Sequence, residues 1–136
     1  MNEFDQLLAM LEEEEETIRF KSFTNEGALQ MGLRFVEIAE AEDKRITIDI
    51  RRNGQQLFHY AMPGTSPDND AWIERKIRVV NRFYHSSYYM GVSCKAKNAT
   101  LSERYLVDPY EYAAHGGAFP LTVENVGTSL TAVRPL

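Results

Sequence analysis

The sequence of 136 residues is 43% hydrophobic and 26% charged, which indicates one globular domain spanning residues 1–136. No apolar run approaches the roughly 18 residues of a membrane span, and the acidic N-terminus does not resemble a signal peptide. The single cysteine, Cys94, fits a reducing compartment. We therefore expect a cytoplasmic protein without a membrane span.

The net charge of −5 is unevenly distributed along the chain. Residues 1–16 contain seven acidic and no basic residues, whereas the other 120 residues contain 13 acidic and 15 basic ones. An acidic segment thus precedes a nearly neutral body. Neither part supplies the strongly basic field that nucleic-acid binding requires, so we expect no nucleic-acid partner.

The N-terminal half alternates helical and strand patterns. Apolar spacing predicts an acidic helix over residues 3–15, a short strand within residues 17–23 and a helix from residue 25 to about residue 42. Alternating isoleucines over residues 45–62 predict a β-hairpin, with Asn53-Gly54 as its two-residue turn. Paired strands separated by helices favour an α+β fold.

The second half reads as a helical block followed by a second hairpin. The spacing predicts helices over residues 67–84, 86–98 and 108–115, a helical turn over residues 102–106, and strands over residues 118–124 and 128–133. The helix over residues 108–115 is predicted to stop at Gly116-Gly117, since glycine terminates helices readily.

Arg75, Arg78 and Arg82 recur on one side of the predicted helix over residues 67–84. Such a stripe suits the carboxylates or phosphates of a ligand, including haem propionates, or an acidic partner surface. It is also typical of a solvated helix face. The acidic run from Glu12 to Glu16 is a complementary surface, either within the chain or across a subunit interface.

Two histidine segments are further candidates. His85 and Ser86 place an imidazole beside a hydroxyl group, which suits either catalysis or capping of a helix. His115 is followed by Gly116, Gly117 and Phe119; glycines allow a ligand to approach the backbone, and a histidine can bind haem iron or act as an acid or base. The alternative for His115 is a simple helix stop. We expect His59, by contrast, to be a packed structural residue.

The tyrosines could line a flat ligand pocket or fill a subunit interface, where tyrosine is enriched. They are Tyr60, Tyr88, Tyr89, Tyr105, Tyr110 and Tyr112. No phosphate loop, nucleophile elbow or paired CxxC motif is present, so the sequence names no catalytic residue and no metal site.

Four stretches together resemble a family of conserved proteins of uncharacterised activity in the haem-degrading-domain (GlcG/PduO-like) superfamily. They are Asp49 to Asp70, Ala71 to Lys76, His85 to Gly91, and Asp108 to Gly127. The resemblance implies a profilin-like, three-layer α/β/α fold with a five-stranded antiparallel sheet. It also implies a homo-oligomer that binds haem or a haem-like small molecule. Members of this family continue into a last helix with an Asp-His pair, whereas this sequence reads Thr128 to Leu136 instead.

The leading hypothesis is a homo-oligomeric small-molecule-binding protein with haem as the candidate cofactor. Its predicted ligand site comprises His85, Ser86, His115, Gly116, Gly117 and Phe119, with Arg75, Arg78 and Arg82 for anionic groups. One alternative is a hydrolase- or lyase-type enzyme acting on a small anionic substrate. Another is an interaction scaffold without catalysis, whose acidic N-terminal helix serves as a docking arm.

Overall fold

The computed structural model of the protein describes residues 2–124 and the backbone of residues 127–133. Five helices and five strands are formed within these ranges. In chain order they are α1 (Glu3–Thr17), β1 (Arg19–Phe20), α2 (Asn25–Ala41), β2 (Thr47–Arg52), β3 (Gln55–Ala61), α3 (Pro67–Phe83), α4 (Ser87–Ala96), α5 (Leu101–Tyr105), β4 (Ala118–Val123) and β5 (Gly127–Val133).

Most of the predicted elements are present, and local capping explains where several of them begin. The side chains of Asn2, Thr24 and Ser86 accept backbone hydrogen bonds at the starts of α1, α2 and α4. Asn53 and Gly54 both have positive φ angles, of 52° and 81°, as the two-residue turn between β2 and β3 requires. Thr128–Leu136 was noted for its departure from the family pattern, and its side chains lie outside the described residues.

The described strands form one sheet in the order β1-β4-β5-β2-β3. The α+β class is confirmed, but the expectation of a wholly antiparallel sheet is wrong because β1 pairs in parallel with β4. β1 follows a helix rather than a tight turn, so nothing in its connection forces an antiparallel pairing. The other described pairings, β2 with β3, β2 with β5 and β4 with β5, are antiparallel.

Helices cover both faces of the sheet. On one face α2 packs its Ala28 against Ile50 and Leu121. The approach is close at Gly32, where a Cβ atom would lie 2.3 Å from the ring of Phe58. On the other face α3 packs Ile73, Ile77 and Val80 against Ala118 of β4.

The helix predicted over residues 108–115 is wrong, because this segment forms only a turn around residues 109–111. The amides of Glu111 and Tyr112 donate within the segment, both to the carbonyl oxygen of Asp108, and further hydrogen bonds connect the segment to α3. Ala113 N donates to the carbonyl oxygen of Arg75 at 3.2 Å. The side chains of Arg75 and Arg78 donate to the carbonyl oxygens of Tyr110 and Glu111, both at 3.1 Å. Beyond this single turn, the carbonyl oxygens of Tyr110 and Glu111 accept hydrogen bonds from α3 instead of from a continuing helix.

Candidate functional site

A cleft of about 1060 Å³ lies between α3, α4, α5 and residues 109–116. We call it the cleft from here on. Aromatic rings of Trp72, Tyr88, Tyr110 and Tyr112 line it, together with the cationic side chains Arg75 and Lys95. Its lining includes apolar residues of α4 and α5, among them the buried Cys94. Apolar walls with a few charged groups are typical of small-molecule sites.

Close backbone approach sets the shape of the cleft. At Gly91 of α4, a Cβ atom would lie 2.3 Å from the carbonyl oxygen of Ala114, so α4 reaches this wall only because residue 91 has no side chain. The hydrogen bonds from Arg75 and Arg78 fix the facing segment onto α3. The cleft wall is therefore held from two helices.

One corner of the cleft brings a ring, a cation and an imidazole together. The guanidinium carbon of Arg75 lies 4.9 Å from the centroid of the Trp72 ring. The exposed ring of His115 meets Trp72 edge to face, with the centroids 6.2 Å apart. Gly116 follows directly in the same wall. This corner can contact a flat ligand on its face and offer it both positive charge and a nitrogen ligand.

His85 lies elsewhere, in a second cavity of about 340 Å³ between the end of α1, the junction of α3 and α4, and β4. His85 Nδ1 is 2.6 Å from Glu15 Oε2, and its ring stacks on Tyr89 with centroids 4.0 Å apart. The neighbouring Tyr84 has a φ angle of 57°, which turns the chain sharply at the end of α3. The Glu15 carboxylate raises the pKa of His85 above its ordinary value, although burial opposes the shift.

The nine predicted ligand residues therefore do not share one site. The cleft contains His115, Gly116 and Arg75, whereas His85 lines the second cavity and the Ser86 backbone N–H donates to Glu15. Phe119 packs into the core beside α2, because its side chain points to the opposite face of β4 from Ala118.

Three further candidates fall outside the described lining of the cleft. Gly117, with a φ angle of 136°, turns the chain into β4. Arg78 anchors the segment that follows α5, and the Arg82 guanidinium lies 5.7 Å from the ring centroids of both Phe83 and Tyr112. The arginine stripe thus packs against its own chain, and the ligand role of each of these residues stays a prediction.

An ionic network joins the start of α3 to β2 and β3, and sequence reasoning did not anticipate it. Asp49 is fully buried and accepts hydrogen bonds from Arg51 Nε at 2.8 Å and from His59 Nδ1 at 3.0 Å. Both terminal nitrogens of Arg51 also donate hydrogen bonds to the Glu74 carboxylate, at 2.5 and 3.2 Å. His59 Nε2 lies 3.1 Å from Asp70 Oδ1. The Arg51 guanidinium lowers the pKa of Glu74.

The signal for this network was the alternation within β2, which places Thr47, Asp49 and Arg51 on the face opposite the isoleucines. That face is solvated in many hairpins, but α3 covers it here. Each carboxylate of the network contacts a basic side chain, so the network is a structural element. His59 contacts Asp49 and Asp70, but it is an exposed residue of β3 and not the packed one that was expected.

Comparison with known proteins identifies the family to which this chain belongs. Residues 23–133 match the family model described as "Haem degrading protein HbpS-like". The chain belongs to this family. It is 51% identical over 120 residues to a UPF0303 protein of Streptomyces coelicolor, covering 88% of this chain and 76% of that protein. It is 46% identical over 123 residues to a UPF0303 protein of Edwardsiella ictaluri, covering 90% and 78%. The resemblance inferred from the four sequence stretches is confirmed.

Solved structures agree with this assignment to the HbpS-like family. The crystal structure of Ybr137w protein superposes with a TM-score of 0.86 at 34% identity, covering 94% of this chain and 76% of that one. The crystal structure of HbpS superposes with a TM-score of 0.64 at 18% identity, covering 88% and 82%, and shows the shared fold alone.

Within residues that the structure describes, no group of three or more His, Cys, Asp or Glu side chains is arranged to hold a metal ion. None of the described helices is both long and apolar enough to cross a membrane. The HbpS-like family model begins at residue 23, so it leaves α1 outside the matched residues.

Proposed function

We propose that the protein binds a flat aromatic small molecule in the cleft, with haem as the leading candidate. The observation that carries the proposal is the corner where Trp72, Arg75 and His115 meet at the edge of a large, mostly apolar cavity. Membership of a family described as haem degrading supports the same ligand class. The cleft volume, about 1060 Å³, is at the upper end of the range for small-molecule sites.

The residues of the cleft fit a haem group. His115 would ligate the iron, and Arg75 and Lys95 would pair with the propionates. Trp72 and Tyr88 would contact the faces of the macrocycle. When bound, the iron centre would supply the oxidative chemistry that the family description implies. The protein's own contribution is binding, exclusion of water and orientation.

The proposal includes a homo-oligomeric, cytoplasmic protein with the profilin-like arrangement of layers that the family resemblance implies. Leu29 and Leu33 support association, because they lie one turn apart on α2 and are each about half exposed (49% and 50%). Light scattering of the purified protein tests this part, and a mass equal to one chain across micromolar concentrations would contradict it.

Haem titration followed by absorbance tests the ligand and its place. Wild-type protein at micromolar concentration should shift and sharpen the Soret band with saturable binding. His115→Ala should lose the shift or change its position, because the iron loses its protein nitrogen. His85→Gln is the matched control, since it alters a histidine outside the cleft, and it should bind as the wild type does.

Each other outcome counts against the proposal. A wild-type spectrum without a Soret shift removes haem as the ligand and favours the scaffold alternative. Identical spectra for the wild type and His115→Ala remove His115 as the iron ligand. Loss of binding in His85→Gln alone would move the site to the second cavity.

A further inference from the structure

The acidic helix α1 is seated on α4 through one buried carboxylate. The Glu15 side chain is only 10% exposed. Its Oε1 accepts a hydrogen bond from the Ser86 backbone N–H at 2.6 Å, and its Oε2 lies 2.6 Å from His85 Nδ1. One turn earlier, Tyr89 OH donates to Glu12 Oε1 at 3.0 Å, and Leu11 is buried. The acidic segment is therefore docked within the chain, away from the arginine stripe of α3.

Apart from this contact with α4, most residues of α1 are exposed. It ends in five consecutive glutamates with no basic residue in its last turn, where the helix dipole disfavours negative charge. At 15 residues it is of the length at which isolated helices are marginal in water. The match to the HbpS-like family model begins after it, at residue 23.

His85 is the group in this seat that titrates near neutral pH. The titratable and charged groups that face it across the cavity or on α4 are Glu12, Glu15, Glu16, Arg19, Tyr84 and Tyr89. Burial and Glu12 raise the pKa of Tyr89 to about 12, so its hydroxyl group stays protonated between pH 6 and 9.

We propose that α1 is a pH-controlled latch: it is held on α4 while His85 is protonated and opens more readily once His85 loses its proton. Opening exposes the second cavity and the N-terminus of α4. The direction follows from linkage, because Glu15 raises the pKa of His85 in the docked state. Docking is therefore strongest below the ordinary histidine pKa of about 6.5 and weakens as the pH rises through the higher, docked value.

Hydrogen exchange of the full chain measures the latch directly. Exchange of residues 3–17 is followed at pH 6 and pH 8.5, and each rate is divided by the intrinsic chemical rate at that pH. The opening constant of α1 should rise about fivefold, because the neutral imidazole no longer forms an ion pair with the Glu15 carboxylate. Exchange of α3, corrected in the same way, should show no such rise and serves as the internal reference.

Two variants separate the latch from a general effect of pH. His85→Gln keeps a hydrogen-bond donor but has no titration near neutral pH, so the opening constant should be high and equal at both pH values. Glu13→Gln removes an exposed neighbouring charge and should retain the wild-type response. The proposal is overturned if the wild-type opening constant of α1 is equal at pH 6 and pH 8.5. It is also overturned if the pH response survives in His85→Gln.

The titration of the His85 imidazole, followed by NMR, provides a second readout if His85→Gln fails to fold. Replacing Glu15 by Gln should lower the titration midpoint of His85, because the ion pair is lost. A midpoint that does not move would show that Glu15 and His85 are uncoupled, and the latch would be rejected. Neither the hydrogen-exchange experiment nor the NMR titration depends on haem, so rejection of the latch leaves the ligand proposal intact.

Discussion

Helix α3 borders two regions that differ in how their charged side chains are used. At its first turns, Asp70 and Glu74 join the ionic network with Asp49, Arg51 and His59. On another side of the same helix, Trp72 and Arg75 face the cleft, where rings and cations are left accessible. The ionic network is thus saturated by its own partners, whereas the cleft retains groups that can bind something else.

The difference shows that a density of titratable groups is a poor guide to function. The ionic network contains the acid–histidine–acid arrangement that suggests catalysis, since His59 lies between Asp49 and Asp70. All three side chains are occupied with each other and with Arg51, and none of them lines the cleft or the second cavity. The cleft has fewer charges, but its tyrosines, tryptophan and His115 surround open space.

Replacing Arg51 by Met gives the largest expected effect and tests the structural role of the ionic network. The change leaves Asp49 buried without its guanidinium and releases Glu74. Breaking a buried ion pair from one side costs about 3 kcal/mol of folding free energy, even though Gln56 and His59 still donate to Asp49. Urea unfolding at pH 7 measures the loss.

The matched control for this variant is Arg34→Met. Arg34 pairs with Glu37 on the surface, with both side chains about two-thirds exposed, so the change should alter the unfolding free energy by less than ~1 kcal/mol. Equal losses in the two variants would contradict the contrast between buried and exposed pairs. If Arg51→Met also weakens haem binding as much as His115→Ala does, the ionic network and the cleft are not separate.

The sequence predicts the elements well where the pattern is local. Asn53-Gly54 identifies the hairpin turn, and Thr24 and Ser86 mark two helix starts. The segment over residues 108–115 was predicted incorrectly, because its helix-like spacing gives way to hydrogen bonds with α3, 33 to 38 residues away in sequence. Local propensity carries no information about such partners.

The candidate site was predictable only in part for the same reason. His115, Gly116 and Arg75 were found, because a histidine beside glycine and an arginine stripe are visible in the sequence. The sequence analysis grouped His85 with His115, but the two histidines lie in different cavities. Only the packing of the helices reveals this separation. Phe119 was assigned to the ligand site together with its sequence neighbours His115 to Gly117, whereas the alternation of side chains along β4 sends it to the face opposite Ala118.

Replacing Gly91 by Ala tests the construction of the cleft and has an intermediate expected effect. In an unconstrained helix this change stabilises by about 1 kcal/mol. Here the added methyl group would meet the Ala114 carbonyl oxygen at 2.3 Å, and a backbone atom cannot move aside as a side chain tip can. We expect a net loss of about 1–2 kcal/mol in thermal or urea unfolding, together with weaker haem binding. A more stable variant would show that α4 and residue 114 are not in tight contact.

The smallest expected effect concerns the exposed rim of the ionic network. Arg51 lowers the pKa of Glu74, so Glu74 contributes stability above its unfolded pKa of about 4.3 and loses that contribution as the pH falls through the lower, folded value. Glu74→Gln should therefore flatten the loss of stability between about pH 5 and pH 2. Because the Glu74 side chain is 46% exposed, the loss of unfolding free energy at pH 7 should be below ~1 kcal/mol.

Urea midpoints at pH 7 and pH 3 measure the loss at neutral pH and its dependence on acid. The control is Glu42→Gln, which removes the carboxylate of an exposed pair with Lys44. Equal acid slopes in the two variants would place Glu74 with the solvated charges of the surface and would confine the ionic network to the buried contacts of Asp49.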